Sequence, residues 1–214
     1  MSDKEIGEKY NINLRKIEQI ITKEKGINVS NINSPKKIRK FSPKDFQLEN
    51  NTVWSFKSRG NWATHNGNYR GNWSPFIPRN IILRYSKEND LVLDYFCGSG
   101  TTAVECKLLN RNFIGIDINE KAIELAKDNL NFEYLFGGSV ELKVADARNL
   151  SFLKDCSIDL ICSHPPYSNI INYTYDNELD LSHLDTENFL KEIKKVAEES
   201  FRVLKDEKYC AILI

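Results

Sequence analysis

The chain has 214 residues, 41% of them hydrophobic, and its 30 basic and 30 acidic side chains give a formal net charge of zero. That length builds one sizeable core with at most a small accessory region, and a zero total charge lends no support to a nucleic-acid partner. No apolar run approaches the roughly 20 residues of a membrane span, and the polar N-terminus is no signal peptide, so a cytoplasmic protein without membrane contact is expected.

In chain order, Leu14, Ile17, Ile20 and Ile21 recur at helical spacing and predict an amphipathic helix from about Asn13 to Lys25, stopped by Gly26. With the shorter stretch Glu5 to Tyr10 before it, the pair has the form of a helix-turn-helix. A two-helix appendage packed on the main domain is the more ordinary expectation. Asn31 to Lys44, rich in Asn, Ser, Pro and Lys, reads as a linker, and its basic run Pro35 to Lys40 as a solvated face. Residues 1–48 are thus expected to form a small helical appendage and linker, and residues 49–214 the main domain.

Between Asn50 and Lys87 there is no Asp or Glu, whereas Lys57, Arg59, Arg70, Arg79, Arg84 and Lys87 alternate with aromatic residues that include Trp54, Trp62 and Trp73. Cations neutralise phosphates and rings stack on bases, so this mixture suits a nucleic-acid strand or a flipped nucleotide. It suits equally an aromatic lid over the core with solvated cations. Val53 to Phe56 alternates like a strand, Gly60, Gly67 and Gly71 mark a loop, and Pro78 to Tyr85 reads as a helix.

Leu91-Val92-Leu93-Asp94 reads as a buried strand that breaks into the turn Cys97-Gly98-Ser99-Gly100, with a helix opening near Thr101. The two glycines let backbone approach a ligand closely, and the helix presents free N–H groups there. A second strand, Asn112 to Asp117, ends in an acid about twenty residues beyond the first turn, which is how nucleotide-type folds hold ribose hydroxyls. A helix from Glu120 to Leu130 follows, then a strand from Val140 to Val144 leading to Asp146-Ala147. Ile158 to Cys162 is a fourth strand that runs into Ser163-His164-Pro165-Pro166-Tyr167. The long loop Ser168 to Leu184, a helix from Thr186 to Leu204 and a fifth strand from Tyr209 to Ile214 complete the order.

Alternating strands and helices imply an α/β fold with a doubly wound, mostly parallel sheet. Asp94, Asp117 and Asp146 end three successive strands, where open α/β sheets bind ligands, although Asp is also common there as a helix cap. Cys97, Cys106, Cys156, Cys162 and Cys210 have no CxxC spacing and are expected as buried reduced thiols, with no metal site.

Asp94 to Thr102 and Ser163 to Tyr167 resemble the first motif and the catalytic Asp/Asn/Ser-Pro-Pro-Tyr motif of the DNA amino-methyltransferases, which use S-adenosylmethionine. The resemblance covers about Val53 to Ile214 and implies a class I methyltransferase domain, Rossmann-like in fold. It implies that Asp117 takes the ribose hydroxyls of the cofactor and Asp146 its adenine amino group. Asp94, Phe96, Gly98 and Gly100 would shape the methionine end, with Tyr95, Thr101, Ile118 and Ala147 completing the cofactor set.

On the reacting side, the Pro165 carbonyl and the side chain of His164 or Ser163 would accept the hydrogens of an exocyclic amine. Pro165 and Pro166 stiffen the turn, and Tyr167 would stack on a base flipped out of duplex DNA. His164 departs from the family pattern, and its imidazole can accept a hydrogen bond only when neutral. With Ser163 beside it and no carboxylate, the reading leans to N4 of cytosine over N6 of adenine. No Pro-Cys pair is present for the covalent route to carbon-5 methylation. Methylation of RNA or a protein amide, or a non-catalytic DNA-binding subunit, are the alternatives. In the resembled family the sheet continues past the fifth strand, so the expectation is a domain incomplete at its C-terminus. It would be either a truncated form or half of a split enzyme whose second polypeptide supplies the rest of the sheet and the target recognition.

Overall fold

The computed structural model describes residues 35–135, 137–168, 170–171, 173–174 and 177–214. The chain divides into two compact units, residues 1–36 and 37–214. The helix expected over Asn13 to Lys25 lies outside the described residues. The second unit holds the sheet and the expected site residues.

Its strands are β1 (Leu91–Asp94), β2 (Asn112–Asp117), β3 (Val140–Val144), β4 (Ile158–Ser163) and β5 (Leu204–Ile212). Among the described residues they form one parallel sheet in the order β3-β2-β1-β4-β5. Among the described residues four α-helices pack with them: α1 (Phe76–Tyr85), α2 (Thr101–Leu108), α3 (Glu120–Leu130) and α4 (Thr186–Val203). A strand covered on two faces wants an unbroken apolar run. β4 is buried along its whole length, and Val92 and Leu93 of β1 are fully buried.

Neighbouring residues of each strand feed opposite layers. Val92, Phe113, Leu160 and Cys162 pack with Ile81 and Ile82 of α1 and Ala103 and Cys106 of α2. Leu93, Ile116 and Ile161 pack on the other side with Leu150 and with Val196 and Val203 of α4. This is the doubly wound arrangement, and the strand order reverses direction between β1 and β4. Loops leaving those two strands part there and open a crevice beyond their carboxyl ends.

Three expectations need correction. Val53 to Phe56 forms no strand, and among the described residues none pairs with it; its aromatic ring goes into packing instead, with Phe56 stacked on Phe76 at 4.9 Å. β5 begins at Leu204 rather than Tyr209. The charged stretch that resembled a loop is held in the sheet by Asp159 of β4, which pairs with Lys205 at 2.8 Å and Lys208 at 3.2 Å. Cys156 and Cys210 are exposed, while Cys97, Cys106 and Cys162 are buried, and all five thiols are free.

In the acid-free segment, packing takes the large rings and one of the cations. Trp62 and Trp73 are buried, and Arg79 is buried against Glu105 at 2.8 Å. Lys57, Arg70, Arg84 and Lys87 remain exposed.

Candidate active site

The turn after β1 is built on left-handed backbone. Gly98 has φ 49° and Gly100 φ 81°, and a Cβ on Gly100 would sit 3.0 Å from that of Ala126. Only glycine meets both demands without strain. Behind the turn, Asp94 is almost fully buried and ties three elements together. Its Oδ1 accepts from the Ser163 hydroxyl at 2.6 Å and the Phe96 N–H at 3.1 Å, and its Oδ2 accepts from Thr102 Oγ1 at 2.6 Å. Burial pushes its carboxyl up to about 6, against the pull of those hydrogen bonds.

Asp117, at the end of β2, receives the Gly98 N–H on Oδ2 and the Asn119 N–H on Oδ1, each at 2.9 Å. Burial raises this carboxyl too, to about 6. Two acceptor sites remain beyond these N–H bonds, because a carboxylate carries about four lone-pair positions. Asp146 is gripped by Arg148, with contacts of 2.6 to 2.9 Å, and Arg148 reaches on to Glu192 of α4 at 2.7 Å. The two carboxylates hold the guanidinium well above its usual range.

An open crevice lies beyond β1, β2 and β4. From the predicted set, Phe96, Gly98, Asp117, Ile118 and Asp146 line one part of its wall, and His164 and Pro166 another. The other predicted residues lie elsewhere. Tyr95 points to the far face of the sheet, where its hydroxyl accepts from Ser200 at 3.1 Å. Ala147 is buried in the core on that same face. Gly100 and Thr101 border a separate cavity of about 180 Å³, and the Thr101 hydroxyl donates to Asn72 Oδ1. Asp94 lies behind the wall, as does Ser163, which is fully buried with its hydroxyl committed to Asp94. Ser163 is therefore corrected from a reacting group to a structural tie, since its side chain belongs to the inward-facing pleat of β4.

His164 faces outward. Its ring stacks on Trp73 at 5.6 Å and 24°, and its Nε2 lies 3.0 Å from the Tyr167 hydroxyl. Burial lowers its pKa below the usual 6.5, partly countered by a hydrogen bond to the Gly71 backbone, so the ring is neutral at pH 7.

Sequence reasoning missed the individual residues that close the cavity. Tyr69, Gly71, Asn72 and Trp73 come from the acid-free segment, and Tyr173, Leu179 and Asp180 from the loop after the Pro-Pro turn. The two straps meet where a Cβ on Gly71 would fall 2.5 Å from the Tyr173 hydroxyl. The signal for the first strap was its run of glycines among aromatic residues. The second had none beyond its length.

Half-buried acceptors at Asp117, a glycine turn without side chains and an open crevice beside them fit S-adenosylmethionine. Asp117 and Asp146 would hold its nucleoside end, and the turn at Gly98 would leave room for the rest. Among the described residues no group of His, Cys, Asp and Glu could hold a metal ion, and no helix is long and apolar enough to cross a membrane.

Comparison with known proteins accords with this geometry. A family model described as DNA methylase, of the N6/N4 type, matches residues 4–128, and one described as methyltransferase domain matches residues 86–213. The chain is 36% identical over 135 residues to the type II methyltransferase M.HpaI of Haemophilus parainfluenzae, covering 59% of this chain and 39% of that protein. It is 42% identical over 88 residues to the type II methyltransferase M2.LlaDCHI of Lactococcus lactis subsp. cremoris, covering 40% of this chain and 32% of that one. The chain thus spans well under half the length of these relatives. TrmN from Thermus thermophilus shares the fold, with a TM-score of 0.51 at 22% identity over 67% of this chain and 39% of that one. Matched over more than half its length, from the N-terminal segment through the glycine turn and the second strand, the chain belongs to the N6/N4 DNA methylase family, whose cofactor is S-adenosylmethionine.

Proposed function

We propose that this domain transfers the methyl group of S-adenosylmethionine to an exocyclic amino group of a base flipped out of duplex DNA. The observation that carries this reading is the joint lining of one cavity by Asp117 and Gly98 on the cofactor side and His164 and Pro166 on the reacting side. The cofactor supplies an electrophilic methyl group; the chain supplies position and acceptors.

An exocyclic amine is a poor nucleophile because its lone pair is delocalised into the ring. Acceptors on its two hydrogens favour a more tetrahedral nitrogen whose lone pair can attack. We assign the Pro165 carbonyl as one acceptor and the His164–Tyr167 pair, 3.0 Å apart, as the other. The Tyr167 ring is half-buried on the same turn, and in this reading its hydroxyl rather than its face meets the base. N4 of cytosine is the proposed target over N6 of adenine, because His164 puts no carboxylate or amide at the position that faces the base. Exposed Lys57, Arg70 and Arg84 would meet the phosphates.

The test is incubation of unmethylated genomic DNA with the protein and isotope-labelled S-adenosylmethionine, followed by digestion to nucleosides and mass spectrometry. N4-methylcytosine is the expected product. Label in N6-methyladenine would overturn the choice of base. Label only in RNA controls, or in no nucleoside, would overturn the function.

A further inference from the structure

We propose that His164 is the proton acceptor of the transfer step and that it works through the Tyr167 hydroxyl rather than on the amine directly. The inference rests on the function proposed above and deepens it.

The imidazole is oriented by two ring contacts, stacked on Trp73 at 5.6 Å and edge-on to Tyr167 at 5.5 Å. The Gly71 hydrogen bond favours the protonated ring, so it is the Gly71 carbonyl that accepts and a ring N–H that donates. Nε2 is already opposite Tyr167 at 3.0 Å, which leaves Nδ1 as the nitrogen that faces Gly71. The relay takes the neutral tautomer with the hydrogen on Nδ1 and the lone pair on Nε2. It follows that the Tyr167 O–H donates to Nε2, and the phenol oxygen keeps its own lone pairs for an incoming N–H.

The balance of the step is simple. The bond from nitrogen to the methyl carbon forms as the bond from sulfur to that carbon breaks, and the positive charge passes from sulfur to nitrogen. One N–H proton then moves to the Tyr167 oxygen while the Tyr167 proton moves to Nε2. The products are the methylated amine, a neutral thioether and an imidazolium, which Gly71 continues to hold and which later returns its proton to water. A side chain such as Asn in this place could accept a hydrogen bond but could not take up the proton at neutral pH, whereas imidazole can. The titratable groups around His164 are Tyr167 on the same turn, Tyr173 from the following loop, Arg70 next to Gly71 on the strap, and Asp94 beneath Ser163.

The protein has three histidines, so its imidazole nitrogens can be resolved by ¹⁵N NMR and His164 identified with the His164→Asn variant. The expected spectrum shows His164 neutral at pH 7 with hydrogen on Nδ1, titrating below 6.5, and an Nε2 shift that moves in Tyr167→Phe. A ring carrying its hydrogen on Nε2, or unmoved by Tyr167→Phe, overturns the relay while leaving the enzyme reading intact. In single-turnover transfer to DNA, Tyr167→Phe keeps the ring and is expected to lose roughly 10²-fold or more in rate with substrate binding preserved. His164→Asn is expected to retain slow transfer but to lose the acid limb of the pH profile. A wild-type rate in Tyr167→Phe overturns the proposal, and absence of any transfer by the wild-type protein overturns the proposed function and the relay with it.

Discussion

The Ser163 hydroxyl donates to Asp94 Oδ1 across 2.6 Å and so joins the carboxyl ends of β4 and β1, the two strands between which the cavity opens. The tie lies beneath the cavity wall, out of reach of a substrate. Ser163→Ala would remove one of the two hydrogen bonds that Asp94 Oδ1 accepts, a loss of about 0.5–1.5 kcal/mol. Denaturant unfolding should show that loss, while calorimetric affinity for S-adenosylmethionine stays within about threefold. An unchanged midpoint together with lost methyl transfer would return Ser163 to the reacting groups.

Asp94 itself makes stability depend on pH. Its folded value of about 6 lies above the unfolded value of 3.8, so the folded chain binds more protons between those limits. Stability contributed by this group therefore rises as pH falls from about 6 towards 4, and above pH 6 its ionisation costs roughly 3 kcal/mol. Asp117 adds a shift of the same sign. Unfolding midpoints measured from pH 7 to pH 4.5 should climb in the wild-type protein and climb less in Asp94→Asn. Parallel curves for the two proteins would refute the assignment.

Asp117 is the residue we propose as the cofactor anchor. Loss of two charge-assisted hydrogen bonds to hydroxyls, about 1.5–3 kcal/mol each, predicts that Asp117→Ala weakens S-adenosylmethionine binding by roughly 10²-fold or more. The ionised form is the better acceptor, so wild-type affinity should fall as pH drops below about 6, and the variant should lose that dependence. Titration calorimetry at pH 5 and pH 7.5 measures both effects.

The aromatic strap is pinned by one buried carboxylate. Glu105 of α2 accepts from Trp62 Nε1 and contacts His65 Nε2, each at 2.7 Å, and pairs with Arg79 at 2.8 Å. Removing it leaves Arg79 buried and unpaired, which predicts a loss of about 3–5 kcal/mol for Glu105→Ala. Glu105→Gln keeps the acceptor oxygen and should lose less. Thermal unfolding of both variants checks the order, and equal losses would show that the charge alone, and not the shape or the oxygen that Gln keeps, pins the strap.

The range of the forces involved set how much of the fold and the site was legible in the residues alone. The strand β1, the glycine turn and the opening of α2 were readable because backbone burial and left-handed φ are local demands, met by Leu-Val-Leu and by Gly98 and Gly100 within one short stretch. The alternation that sorts Val92 and Leu93 into opposite layers is equally local. By contrast, the true partner of Ser163 is an acid 69 positions away, and Glu105 draws in groups from 26 to 43 positions away.

Thus the amino-acid order alone determined the α/β architecture, the strand that bears each acid and the family to which the two motifs point. Only the tertiary structure decided which side chains face the cavity. It turned Ser163 and Asp94 inward to satisfy each other, sent Arg79 to Glu105 instead of to solvent, and set His164 between Trp73 and Tyr167. The physical reason is that a buried polar group must find its partner wherever the packed chain supplies one, and that partner is chosen by proximity in space, which periodicity along the chain does not encode.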